Sequence, residues 1–159
     1  LATVLNSIAL QQRLGALGVP TRIFSAVAMP QICETFNQRN AEAAFEAGDV
    51  VLFAAGTGNP FVTTDSGAAL RAAEMGCDAL FKGTQVDGIY TADPKKDPNA
   101  RRYEELTYDT IVKEGLQVMD VAAVALARDN NIPLVVFSIL EPGGFVEILK
   151  GKGRATIVS

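Results

Sequence analysis

The sequence predicts an α/β fold built on a largely parallel sheet. Two near-continuous apolar runs, 49–55 (DVVLFAA) and 132–139 (IPLVVFSI), read as strands buried on both faces, the pattern that parallel sheets produce. Stretches of helical periodicity alternate with the predicted strands. Gly, Pro, Asn and Asp signals punctuate the joins.

In chain order, Leu1, Val4, Leu5, Ile8 and Ala9 recur at helical spacing, and Leu14 and Leu17 extend the pattern. Gly18-Val19-Pro20 stops that helix. Residues 21–27 (TRIFSAV) read as a short strand, and an alanine-rich helix over 41–47 ends at Gly48. Strand 49–55 follows, then a glycine-rich loop over 56–60 and a helix over 64–75. A strand over 77–81 leads into a polar stretch, 85–98, with an Asp-Gly turn and two Asp-Pro pairs. Helices over 108–114 and 120–130, strand 132–139, a short helix over 145–150 and a strand over 155–158 complete the order. With no internal repeat, low-complexity tract or linker, residues 1–159 are expected to form one domain.

Composition narrows the chemistry. The chain has 159 residues, 48% hydrophobic and 20% charged, a globular balance. It contains no histidine, which removes Ser-His-Asp and Cys-His catalysis and every histidine-based zinc site. Cys33 and Cys77 sit in apolar settings and are expected to be buried, reduced thiols. A net charge of −4 without a basic run argues against nucleic acid as a main partner. No apolar run reaches the roughly 18 residues of a membrane span, so no membrane association is expected. No basic segment and cleavage site mark a signal peptide, and a cytoplasmic location is expected. The chain opens at Leu1 in what reads as mid-helix, so a fragment or processed chain is expected.

Residues 56–65 read GTGNPFVTTD, between a predicted buried strand and a predicted helix. Gly56 and Gly58 allow close backbone approach and positive φ. Thr57, Asn59, Thr63 and Thr64 offer neutral donors, and the following helix aims its positive dipole end at the loop. That combination suits an anionic ligand. A Gly-Asn-Pro turn followed by a Thr/Asp helix cap explains the same residues without any ligand. The loop carries no cation and lacks the Gly-Lys-Ser/Thr of a Walker A motif.

GTGNPFVTTD resembles the UMP-binding signature of bacterial uridylate kinases, in the amino acid kinase superfamily. KGTQVDGIYTADPKKDP, residues 82–98, resembles the ATP-binding segment of that family. Residues 103–137 resemble its following helical segment, with the Met-Asp and Ala-Arg-Asp elements, and LATVLNSIAL resembles an early helix. The likeness runs in order along essentially the whole chain. VDGIYTADP has close relatives in glutamate kinases and aspartokinases; GTGNPF-x-TTD is far more specific.

The resemblance implies a three-layer αβα sandwich and transfer of the γ-phosphoryl group of ATP, with Mg²⁺, onto UMP. It implies that Thr57, Gly58, Asn59, Pro60, Phe61, Val62, Thr63 and Thr64 bind UMP. Asp65 and Asp120 would be the acids at the reaction centre, and Thr84, Tyr90 and Asp93 would bind ATP. UMP's phosphate is already anionic, so the acids would organise lysines or Mg²⁺ rather than accept a proton. Arg22 matches a position linked to GTP. A homohexamer activated by GTP and inhibited by UTP is the family expectation.

Plainer readings stand beside these. Asp120 reads equally as a helix cap, Asp87-Gly88 as a tight turn, Lys82 as a solvated strand-end lysine, and Lys95-Lys96 as a solvated loop. The Val121–Ala127 stripe reads as core. The family's N-terminal segment, with its phosphate-facing lysine, a Gly-Gly loop, an Arg and an Asp, has no counterpart in these residues. This chain alone is therefore expected to be catalytically impaired. Two alternatives share the fold: a kinase of a carboxylate or carbamate, and a non-catalytic oxyanion-storage protein.

Overall fold

The computed structural model describes residues 1–159. They group in two compact units, Leu1–Met75 and Gly76–Ser159, each treated by itself. The α/β class and the dominance of parallel pairing are as the sequence predicts: four of the five strand pairings are parallel. The ladders form one sheet in each unit.

The first unit holds α1 (Ala2–Ala16), β1 (Thr21–Ser25), β2 (Glu34–Thr35), α2 (Gln38–Glu46), β3 (Val50–Ala54) and α3 (Thr64–Glu74). Its sheet order is β2-β1-β3. Strand alternation sorts its side chains. Ile23, Leu52 and Ala54 pack with Val4 and Ile8 of α1. Phe24, Val51 and Phe53 pack with Ala41 and Ala44 of α2 on the other face. Helix α2 starts earlier than its alanine run suggests, because Asn37 caps it through the Asn40 N–H at 3.2 Å. Strand β3 departs from expectation. Val50 is exposed and residues 51–53 are half-buried, since β3 ends the ladder order and is bonded on one side only.

The second unit holds β4 (Leu80–Thr84), β5 (Glu105–Leu106), α4 (Tyr108–Glu114), α5 (Val121–Asp129), β6 (Leu134–Ser138), α6 (Gly144–Leu149) and β7 (Ala155–Val158). The sheet order is β4-β6-β7-β5, with β7 antiparallel to β6. Leu134 and Val136 face a core shared with Tyr108, Ile111, Val124 and Ala127. On the opposite face Phe137 stacks on Phe145 of α6 at 5.4 Å. Each unit thus has helices on both faces of its sheet.

Three expectations need correction here. The strand expected over 77–81 is β4 at 80–84: Gly76 takes φ 60, Cys77 and Asp78 lie in the ensuing turn, and pairing with β6 runs through Lys82 to Thr84. Cys77, in that turn, is exposed rather than buried, and Cys33 is half-buried. Val121 is 82% exposed, because the first turn of α5 precedes the stretch where Ala123, Val124 and Ala127 enter the core.

Candidate functional site

In the first unit the 55–63 loop joins the C-terminal end of β3 to the N-terminus of α3. The chain leaves the strand through two left-handed residues in succession, Ala55 (φ 64) and Gly56 (φ 59), with Gly58 (φ 76) and Phe61 (φ 64) to follow. Such conformations in residues other than glycine store strain and cluster at functional sites. Local bonds hold the curve: Gly58 N–H donates to Ala55 O at 3.1 Å, and Asn59 N–H to Thr57 Oγ1 at 3.2 Å. The loop also closes on β1's end. A Cβ on Gly58 would stand 3.3 Å from Ala26 O.

Thr63 caps α3, its Oγ1 accepting from Ser66 N–H at 3.2 Å. Asp65 is half-buried in the first turn, where the helix dipole favours a carboxylate. The predicted cap is therefore present, and it presents the loop to the dipole's positive end. Residues 58–64 are exposed there, Phe61 fully, and Thr57 is half-buried.

The loop itself, residues 55–63, carries no charged side chain. The arginines of this unit are Arg13, Arg22, Arg39 and Arg71, and it has no lysine. Arg71 stacks over the Phe36 ring at 3.7 Å and pairs with Glu74. Arg22 binds Glu34 through Nε at 2.8 Å and a second nitrogen at 2.5 Å. Those guanidinium bonds hold the Glu34 carboxyl below its ordinary pKa.

The second unit has a cleft of about 690 Å³ whose walls include Lys82, Thr84, Tyr90 and Asp93, facing Glu114 to Val118. The three residues expected to share one ligand, Thr84, Tyr90 and Asp93, are brought together in it. Each also makes a local bond that shapes the wall. Thr84 Oγ1 accepts from Val86 N–H at 2.9 Å, and Asp93 Oδ1 accepts from Lys95 N–H at 2.9 Å. Tyr90 donates its hydroxyl to Asp87 Oδ1 at 2.6 Å, which raises the phenol's pKa. Lys82 is no solvated strand-end lysine: its Nζ donates to Val118 O at 2.8 Å from the cleft wall. Lys95 and Lys96 are exposed, as read.

Asp87-Gly88 forms a bend rather than the expected hydrogen-bonded tight turn, and its acid is engaged. Asp87 lies 3.9 Å from Arg102 Nε and 4.0 Å from an Arg154 nitrogen. Asp120 caps α5, Oδ1 accepting from Ala123 N–H at 2.9 Å. Sequence reasoning missed the 114–118 wall. Its local signal is Gly115, a left-handed helix terminator at φ 64 after Glu114.

The description "Amino acid kinase family" belongs to a family model that matches residues 1–138. The chain belongs to the amino acid kinase family. Within it, the similarity lies with uridylate kinases. The chain is 65% identical over 159 residues to a uridylate kinase of Brucella anthropi, covering all of this chain and 66% of that protein. It is 63% identical to one from a Chelativorans species, covering 99% of this chain and 64% of that protein. Among solved structures, the UMP kinase from Ureaplasma parvum superposes with a TM-score of 0.97 at 42% identity, covering 99% of this chain and 68% of that one. The chain thus spans 64–66% of the length of the curated relatives it matches. No helix is long and apolar enough to cross a membrane.

Proposed function

We propose that this chain carries the nucleotide sites of a UMP kinase, which moves the γ-phosphoryl group of ATP onto UMP to give UDP and ADP. The observation that carries the reading is identity of 63% and 65% to proteins named uridylate kinase, running the whole length of the chain. Two geometries support it: a loop of left-handed residues at a strand-to-helix junction, and a cleft that gathers Thr84, Tyr90 and Asp93. A family model spanning both compact units supports keeping residues 1–159 as one domain of the family fold.

In this reading the 57–64 loop binds UMP through backbone amides and threonine hydroxyls, helped by the dipole of α3. ATP enters the 84–93 cleft as its Mg²⁺ complex. That cation rests mainly on phosphate oxygens and water and needs few protein carboxylates. UMP's phosphate oxygen is an anionic nucleophile, so transfer needs positioning and charge stabilisation rather than a general base. Asp65 and Asp120 would organise the cationic groups. The family's hexamer, its GTP activation and UTP inhibition, and a cytoplasmic location go with this reading, supported by the resemblance.

The loop residues bring no positive charge, and transfer depends on cations that meet the moving phosphoryl group. The 159 residues alone should therefore bind nucleotides yet turn over about 10³-fold or more slower than a relative of full length. Calorimetric titration with UMP, ADP, glutamate and aspartate, with a coupled ADP-release assay, tests both parts. Binding of UMP and ADP without the amino acids is expected. Binding of glutamate or aspartate in place of UMP would overturn the assignment, and relative-like turnover would overturn the charge argument.

A further inference from the structure

Two short arms form the outer wall of the cleft in the second unit. Residues 89–91 run antiparallel to 101–103, with Tyr90 opposite Arg102. Tyr103 N–H donates to Ile89 O at 2.8 Å, and Thr91 N–H donates to Arg101 O at 2.9 Å. The turn between the arms carries Asp93 and Pro94 into the cleft. At the root of the arms, Ile89 N–H and Tyr103 C=O do not bond each other. Both bond one side chain that lies more than 50 residues further along the chain. Thr156 Oγ1 accepts from Ile89 N–H at 2.9 Å and donates to Tyr103 O at 2.5 Å.

We infer that Thr156 is a positioning residue for nucleotide binding: its buried hydroxyl clamps the two arms that present Tyr90 and Asp93. The inference rests on the cleft's being the ATP site, as proposed above. Three features single the clamp out. Thr156 is 0% exposed, so neither bond can be replaced by water without opening the fold. It is itself fixed on β7, opposite Val136 of β6, and Val136 lines the cleft. Gly88 leaves the clamp its room: a Cβ there would collide with Thr156 Oγ1 and come within 2.9 Å of Arg102 Cδ. Next to the clamp, Arg102 donates to Ala155 O, tying the second arm to the same strand.

The test compares Thr156→Val, Thr156→Ser and Gly88→Ala in this chain, with ADP as the probe. Thr156→Val keeps the shape and removes both bonds, and ADP should bind about tenfold or more weakly. Thr156→Ser restores the hydroxyl and should bind ADP within about twofold of the parent. Gly88→Ala, which leaves β7 untouched, should weaken ADP like Thr156→Val. Hydrogen exchange supplies the second readout. Thr156→Val should deprotect the Ile89 amide while peptides from β1 and β3 keep their protection. Unchanged ADP binding in Thr156→Val or in Gly88→Ala would overturn the inference. So would a serine variant as weak as the valine one, or loss of protection spread over the whole chain. Failure of the parent itself to bind ADP would instead refute the cleft as the ATP site, and the clamp's role would fall with it.

Discussion

The 55–65 loop and the 82–94 cleft, the two proposed nucleotide sites, are held in shape by opposite means. The loop is backbone. Its shape comes from left-handed residues at 55, 56, 58 and 61 and from bonds spanning two or three residues. The cleft is built by distance. Lys82 reaches Val118 across 36 residues, and Ile89 reaches Thr156 across 67. A site of the first kind is vulnerable to any side chain that forbids its dihedrals. A site of the second kind is vulnerable to losing one buried polar partner.

The strongest way to break this contrast is to act on the loop's backbone. Gly58 combines φ 76 with a close approach to Ala26 O. A β-branched residue adopts that φ only under strain, and its Cβ must push the β1 end aside. Gly58→Val should weaken UMP binding about 30-fold or more, about 2 kcal/mol, and leave ADP binding unchanged. Parallel titrations of the two nucleotides read this directly. Equal loss of both would mean that the loop is not a separately built site.

The second contrast is in response to alkali. Tyr90, Tyr103 and Tyr108 all lie in the second unit; the first has no tyrosine. Tyr108 is 3% exposed, its hydroxyl donates to Ile132 O at 2.7 Å, and burial pushes its pKa up to about 12. In the unfolded chain a tyrosine ionises near pH ~10. Because the folded pKa is the higher one, the stabilisation is complete below about pH 10 and is lost as pH rises toward 12. The loss should total about 3 kcal/mol. Tyr108→Phe should be less stable at neutral pH by about 1 kcal/mol, with Ile132 O unpaired, yet should lack this part of the alkaline decline. Urea melts of parent and variant across that range would show curves that converge and then cross, the variant becoming the more stable. Parallel curves would contradict the assignment.

The same contrast explains what could be read from the sequence. GTGNPFVTTD is contiguous, so its turn residues, its cap and its position before a helix are visible without coordinates, and α3 begins at Thr64 as expected. The local half of the cleft, Thr84 to Asp93, was equally legible. The facing wall at Glu114 to Val118 and the Thr156 clamp were not, because nothing near Thr156 in sequence marks a partner at Ile89. Strand β4 starts three residues later than the sequence predicts, for a related reason. Lys82 and Gly83 look like strand breakers, but pairing with the buried β6 carries the ladder past them. The apolar run of β3 misled in the other direction, since apolar content does not reveal that a strand is bonded on one side only.

Asp120 gives the smallest expected effect and sharpens the contrast most finely, because one carboxylate carries two readings. As the cap of α5 it satisfies Ala123 N–H, a role that needs an oxygen but no charge. As an organiser of cations it needs the charge. Asparagine caps helices as well as aspartate does, so Asp120→Asn should melt within about 0.5 kcal/mol of the parent. Asp120→Ala should lose about 1 kcal/mol, with α5 fraying at its first turn. Chemical denaturation of the two variants measures what the side chain contributes to the fold. With that fixed, the asparagine variant introduced into a full-length relative becomes a clean probe of charge. Its fold is intact, so any fall in turnover there reports the missing carboxylate, whereas full turnover would reduce Asp120 to a cap and leave Asp65 as the acid to which the chemistry must be assigned.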